Sequence, residues 1–472
     1  MGQPNALKIL IPTEIAQMYG YFSLQAILIF YLINALSYSD AKAYLFAGHF
    51  IALAYLTPVI GGWIADRFLG NRIAVLLGGM ILCMGYALLF FGQPTLLIGL
   101  SLIIIGNGLF KSNIASFIGE FYHRHDARRE SGFTLVYAGA NIGSLLAIFS
   151  IGYIQKLFGW KMCFAIPSFV LLFGVLLFLW GFHYFNDKGL PPNNQKITFL
   201  TVLKNAPITF LWFSVVLTII YYSIKLSIGN YFIYIFALFF LAMIVKLFWK
   251  SEINVRRHLL ALMILFLIAT YYKAMFFETY LVVNVFTDRL VDRIIWGYEV
   301  PATVFLSLGS LFTILLGPLF AYLWQSNKII LSSSFKFTLS ILLVGIAMQM
   351  LAIWLIIETD SLLPTTSIIL FRLIFAISEL FILPIGLSVF TEYAPKHAVG
   401  LMIGGWYITA ALGGKLAGML ANIAEIPKSS MSFYDLKIIY HHAFQQYALL
   451  NFILFIIFLM FVPIINTLLR RE

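Results

Sequence analysis

Glu14, Lys111, Glu278 and Glu379 each stand inside a long apolar run, where a charged side chain is out of place. A charge near the middle of a bilayer costs at least about 2.5–3.5 kcal/mol, so such a residue faces a partner or a wet cavity. Carboxylates in that setting suit coupling to a proton gradient, because a cation that moves toward or away from one can trade places with a proton. Lys273, Arg372 and Lys415 are further cations at membrane depth. Lys273 is close enough to an interface to snorkel. Arg372 and Glu379 are two turns apart on one helical face, and Lys415 lies deep in the Gly413-Gly414-Lys415 segment. No Ser/His/Asp or His-Glu-x-x-His constellation accompanies these charges. The adjacent pair His441-His442 cannot share one helical face, so an enzyme is not expected.

The elements that position these groups are apolar helices. Of 472 residues, 62% are hydrophobic and 10% charged, and the mean hydropathy is +0.95. A soluble domain carries about a quarter charged residues, so much of this surface must face a lipid bilayer. The formal charge of +11 is spread thinly between apolar runs. That suits loop charges that orient a membrane protein and argues against a nucleic-acid partner. Cys83 and Cys163 sit in apolar runs without Cys-x-x-Cys or Cys/His spacing, so they read as packing residues and not as metal ligands. No metal and no cofactor is expected, only a proton gradient as energy source. The first apolar run, 9–36, is too long for a signal-peptide core and carries Glu14.

Windows of about 20 apolar residues fall at 9–36, 43–65, 72–92, 95–119, 132–155 and 160–186. A polar stretch follows, then windows at 206–225 and 229–249, and six more at 259–286, 299–325, 333–357, 364–391, 396–423 and 441–469. The expected fold is an all-α polytopic membrane protein with 14 transmembrane helices. Residues 1–186 form an N-terminal six-helix bundle, 187–258 a linker with two inserted helices, and 259–472 a C-terminal six-helix bundle. Two such halves suggest a pseudo-repeat around a cavity that opens alternately to either side. The inserted pair has few membrane-depth charges and reads as lipid-facing. Arg67, Arg72, Arg124, Arg128, Arg129, Lys188, Lys196, Lys204, Lys328, Lys396 and Arg471 fall on one side. The other side has fewer, such as Lys42, Lys156, Lys225, Arg289 and Arg293, so both termini are expected in the cytoplasm.

The second inner turn reads Gly62-Trp-Ile-Ala-Asp66-Arg67-Phe-Leu-Gly70-Asn-Arg72. Its glycines allow a tight turn and a close helix approach. Asp66 can cap a helix terminus or pair with a basic group, holding one closed state until the bundles rock. This spacing resembles the loop signature of the major facilitator superfamily, and the counterpart 321–336 keeps only basic character.

Further segments make the resemblance narrower. They are Gly106-Asn-Gly-Leu-Phe-Lys111-Ser-Asn113, Asp126-Ala-Arg128-Arg129-Glu130-Ser-Gly-Phe133 with Tyr137-Ala-Gly-Ala-Asn141-Ile-Gly143, Phe276-Phe277-Glu278, and Ser378-Glu379-Leu-Phe-Ile-Leu-Pro384-Ile-Gly386-Leu-Ser388 with Ala394-Pro395. Over nearly its full length the chain resembles the proton-dependent oligopeptide transporter family. The two inserted helices agree with bacterial members. The resemblance implies that Glu379 meets the substrate's amino group, Lys111 its carboxylate end, and that Glu278 is a proton site near the outer gate. Asn141 and Tyr55 would contact the peptide backbone, with Phe22 and Trp406 lining side-chain pockets. It also implies a bacterial inner membrane, and a monomer is the expectation.

The first span departs from the family's Glu-x-x-Glu-Arg pattern. Glu14 is kept, but Gln17 replaces the second acid, Met18 the arginine, and Gln25 a later arginine. Gln17 can hydrogen-bond but cannot titrate, and Met18 offers neither charge nor fork geometry. Three consequences compete: coupling through Glu14, Glu278 and Glu379 alone, a weakened carboxylate clamp, or compensation by Lys415 or Arg372. The leading function is proton-coupled uptake of small peptides. Alternatives are transport of another small metabolite, an anion among the candidates, with altered or lost coupling, and a non-transporting sensor. If Lys415 compensates for the lost arginines, Lys415→Met lowers uptake and changes its pH dependence in proteoliposomes; unchanged uptake and pH profile remove that role.

Overall fold

The computed structural model describes residues 3–122, 128–191, 214–225, 229–325, 331–395, 398–426 and 432–470. Arg124, Asp126, Lys196, Lys204, Lys328, Lys396, Arg471 and the start of the span expected at 206–225 lie outside them, as do the side chains of Arg129 and Glu130. The described residues are helical almost throughout: α1 Leu7–Phe30, α2 Asp40–Ile64, α3 Asn71–Leu89, α4 Leu96–Gly119, α5 Arg128–Phe158 and α6 Trp160–Trp180. Then come α7 Ser214–Lys225, α8 Gly229–Lys250, α9 Ile253–Glu278, α10 Val282–Leu290, α11 Ala302–Gln325, α12 Ser333–Ile357, α13 Thr365–Glu392, α14 Val399–Leu420 and α15 Phe433–Leu468. Among the described residues, 12 spans are long and apolar enough to cross a membrane, with α9 and α10 counted as one. The two other expected spans correspond to α7, described over part of its length, and α14.

One expected span differs in kind. The window 259–286 is broken after Glu278: α9 ends there and α10 starts at Val282, with Leu281 outside helical dihedrals. Hydropathy runs through the break, so periodicity could not reveal it. A break at membrane depth is tolerated only where other groups satisfy the freed backbone. Here Arg372 donates to the Thr279 carbonyl at 3.2 Å.

The helices cluster into two compact units. The first comprises Met1–Ile27 with His49–Phe232, the second Leu28–Gly48 with Ile233–Glu472. Inside the first, helices approach through small residues, as they do where lipid supplies no hydrophobic drive. A Cβ on Gly61 of α2 would sit 2.0 Å from the Gly108 carbonyl oxygen of α4. Pro58 lacks the N–H that would bond the Ala54 carbonyl within α2, and Asn107 Nδ2 donates to that carbonyl instead at 2.8 Å. Thr57 donates to the Ile104 carbonyl at 2.9 Å, and Asn113 to that of Gly61 at 3.2 Å. In the second unit, Gly413 of α14 lies against Lys273 of α9, and Phe240 of α8 stacks on Phe266 at 5.2 Å. The rest of α8 is largely exposed, including Tyr231, Ile235, Leu238 and Phe239, as a lipid-facing helix requires.

The α2–α4 seam is testable. Overpacking at such a contact costs about 1–3 kcal/mol, so Gly61→Ala should lower the thermal unfolding temperature in detergent. Gly309→Ala, whose Cβ meets nothing within 4 Å, should not. Equal behaviour of the two variants would contradict the close approach.

Candidate functional site

In the first unit α1 turns one polar face inward, carrying Glu14, Gln17, Tyr21 and Gln25 at near-turn spacing. Glu14 is buried, and Lys111 of α4 is the cation whose charge reaches it. The lysine is held between two rings, with Nζ 4.9 Å from the Tyr21 centroid and 4.7 Å from that of Tyr55. The rings meet edge to face at 5.9 Å, and Phe22 packs edge-on against Tyr21 at 5.4 Å. Ring faces attract a cation by about 0.5–2 kcal/mol. These contacts aim the ammonium between the two rings.

The substituted positions of α1 have definite occupations. Gln17 donates to Asn107 Oδ1 at 2.9 Å; the same asparagine bonds Ala54, so the amide chain ties α1, α4 and α2 together. Met18 is buried and packs against Gly143 of α5, so that site offers no cation. Gln25 is 4% exposed, and neither its amide nitrogen nor its oxygen has a hydrogen-bond partner among the described residues. Asn141 is half-buried and donates to the Tyr137 carbonyl of its own helix at 2.9 Å; the structure does not bring it into the Lys111 cluster by any hydrogen bond.

In the second unit Glu379 of α13 accepts from Thr313 of α11 at 3.3 Å. Lys273 and Arg372 are the cations whose charge reaches it, Lys273 more strongly. Lys273 lies 5.5 Å from the ring centres of both Phe276 and Trp406, and Trp406 itself fills the space over Gly386. Arg372 is buried and fixed on the broken α9–α10 backbone. Glu278 is fully buried, and neither carboxyl oxygen has a hydrogen-bond donor among the described residues. Its electrostatic neighbours are the phenols of Tyr271 and Tyr447. Lys415 is buried, and among the described residues it has neither a hydrogen bond nor an ion pair.

Sequence reasoning underrated Lys273, because its depth in the span suggested an interface and the face it occupies was invisible. It also passed over Glu120, which resembles an ordinary charge at a helix end. Glu120 accepts from Asn71 Nδ2 and from the Gly189 amide, both at 2.7 Å. The turn motif is built on this carboxylate. Gly70, at φ 71°, packs against Gly189 and Leu190, where any side chain would collide. Arg72 donates to the carbonyls of Phe182 and Asn186, both at 3.2 Å, and stacks 4.0 Å over Phe182. It thus places a cation at the carboxyl end of α6, where the helix dipole favours one. Gly62 faces Ser112, while Asp66 and Arg67 are exposed.

The sequence profile described as POT family matches residues 72–438. Dipeptide and tripeptide permease A of Proteus mirabilis is 25% identical over 468 residues, covering 98% of this chain and 95% of the permease. Peptide transporter YePEPT of Yersinia enterocolitica is 29% identical over 469 residues, covering 91% and 90%. Two solved structures share the fold. A peptide transporter POT in complex with sulfate has a TM-score of 0.84 at 24% identity, covering 99% and 96% of the two chains. A POT family transporter in complex with 5-aminolevulinic acid has 0.85 at 22%, covering 98% and 97%.

If Lys273 balances Glu379, Lys273→Met and Glu379→Gln should be energetically coupled. In thermal or denaturant unfolding the cycle should show about 0.5–3 kcal/mol of interaction, whereas Lys415→Met with Glu379→Gln should be additive. Additivity in both pairs would remove Lys273 from the site.

Proposed function

The chain belongs to the POT family, and on that premise we propose that it imports di- and tripeptides or peptide-like compounds together with protons by alternating access. The observation that carries this reading is the matched pair of charge clusters. Each unit holds a cluster in which a carboxylate is answered by cations of the same unit, Glu14 by Lys111 and Glu379 by Lys273 and Arg372. A zwitterionic ligand needs one group of each sign. Lys111, steered by Tyr21 and Tyr55, receives the carboxylate end; Glu379 receives the amino end, where an arriving ammonium competes with Lys273 for the same oxygens. Glu278, buried with neither a donor nor a cation beside it among the described residues, is assigned to the proton, since such a carboxylate is costly to keep ionised. The proton gradient is the energy source and no further cofactor is required. The setting is a bacterial plasma membrane with both termini in the cytoplasm. One chain carries the full set of groups, so a monomer suffices.

Relatives support the substrate class: one is named for dipeptides and tripeptides, and another is in complex with 5-aminolevulinic acid. A second reading has one observation in its favour. Met18 is packed where the family pattern has an arginine, which weakens the clamp on a peptide carboxylate and favours a different small metabolite with altered coupling.

Proteoliposome uptake of a labelled dipeptide, with and without an imposed inward proton gradient, separates the two. Accumulation above equilibrium under the gradient, abolished by Glu379→Gln, is expected. Equilibration without accumulation, or no dipeptide flux beside uptake of another metabolite, supports the second reading. Near-normal uptake by Glu379→Gln overturns the amino-group assignment.

A further inference from the structure

Between α10 and α11 the chain makes a small antiparallel hairpin, Ile294–Ile295 paired with Tyr298–Glu299. Its two-residue turn, Trp296-Gly297, has both φ values positive, at 49° and 81°, as a type I′ turn requires. Asparagine or glycine fits the first of these positions, and a tryptophan there is strained. That tryptophan is 95% exposed, with Tyr298 at 79% and Ile294 at 62%. The sequence thus places its least water-compatible residues on the tip that strains most to hold them.

The base of the hairpin is fixed. Arg293 bridges Asp288 at 3.2 Å and Glu299 at 3.0 Å, and donates to the Val300 carbonyl at 2.9 Å. Asp292 and Leu290 exchange backbone hydrogen bonds with Leu363, each at 2.8 Å, and Thr365 donates to the Asp292 carbonyl at 2.6 Å. The adjoining 358–361 segment is held by Lys437 of α15, which donates to the carbonyls of Glu358, Thr359 and Ser361. These links put the exposed Leu362, Phe433 and Tyr434 at the same end of the second unit. The span through α9 and α10 ends at Leu290, and the next begins at Ala302. Six residues of extended chain reach at most about 20 Å, so the tip stays within reach of the headgroups. Tryptophan and tyrosine concentrate at that depth because an apolar ring with a polar edge suits it.

We propose that this hairpin is an interfacial anchor: Trp296, with Ile294 and Tyr298, seats in the headgroup region of the leaflet at that end of the second unit. The partner is the lipid surface itself. In water, the exposed apolar tip would only be a liability for association. Docked on lipid, the rigid base holds the mouth of the broken α9–α10 span at a fixed depth.

The test uses the full chain in proteoliposomes. Trp296→Asn serves as the blank, because Asn-Gly is a preferred type I′ pair and leaves the hairpin intact. The difference in fluorescence between the nine-tryptophan protein and the blank is the emission of Trp296. A blue-shifted difference spectrum that loses intensity with lipids brominated near the headgroup is expected. Emission at the position of water-exposed tryptophan, quenched by iodide and not by brominated lipid, overturns the proposal. So does a blue shift insensitive to brominated lipid that disappears as protein is diluted in lipid, because the tip would then be docking on a second copy. Loss of the folded protein on Trp296→Asn would mean that the hairpin is needed for folding and not for anchoring, and overturns it as well.

Discussion

Low dielectric is the constraint from which the rest follows: a charge at membrane depth is costly unless something beside it answers it. For Lys111 the answer is Glu14 together with the faces of Tyr21 and Tyr55. That arrangement depends on the close approach of α2 and α4. Tyr55 is on α2 and Lys111 on α4, and the glycine contact at Gly61 and Gly108 sets the distance between them. The freed Ala54 carbonyl, one residue before Tyr55, is satisfied by Asn107, one turn before Lys111. A packing device and a polar device thus fix the same pair of residues.

The second unit solves the same problem differently. Its span through α9 and α10 is discontinuous, and the carbonyl released at Thr279 holds Arg372. Glu379 is then answered by two cations of unlike character: an arginine anchored to backbone, and Lys273, whose ammonium lies 5.5 Å from the ring centres of Phe276 and Trp406. Glu278, a carboxyl group inside the same unit, differs from Glu379 in having no hydrogen-bond donor among the described residues.

Much of this was legible in the sequence. Span positions follow from hydropathy, and Glu14, Lys111, Glu278 and Glu379 stand out because lipid penalises charge. The break after Glu278 was not legible, since Phe276 to Val285 is apolar enough to read as continuous helix. Nor was the partner of Glu379. Heptad spacing favoured Arg372, whereas Lys273 arrives from another helix, and in a chain apolar on all sides periodicity does not reveal which face points inward. The turn at 62–72 was found by its residues, but its anchor, Glu120, is visible only once Asn71 and Gly189 meet on one carboxylate. Gln17 looked like a lost acid and is a hydrogen-bond donor that joins three helices.

The most direct measurement compares exchange with accumulation in Glu278→Gln proteoliposomes. The amide keeps the shape of the buried group while removing its proton. Substrate counterflow, which needs no net proton movement, should persist near the unmodified level, and gradient-driven accumulation should be lost. Accumulation that survives the substitution would contradict the assignment of the proton to Glu278, a buried carboxyl group that has no hydrogen-bond donor among the described residues.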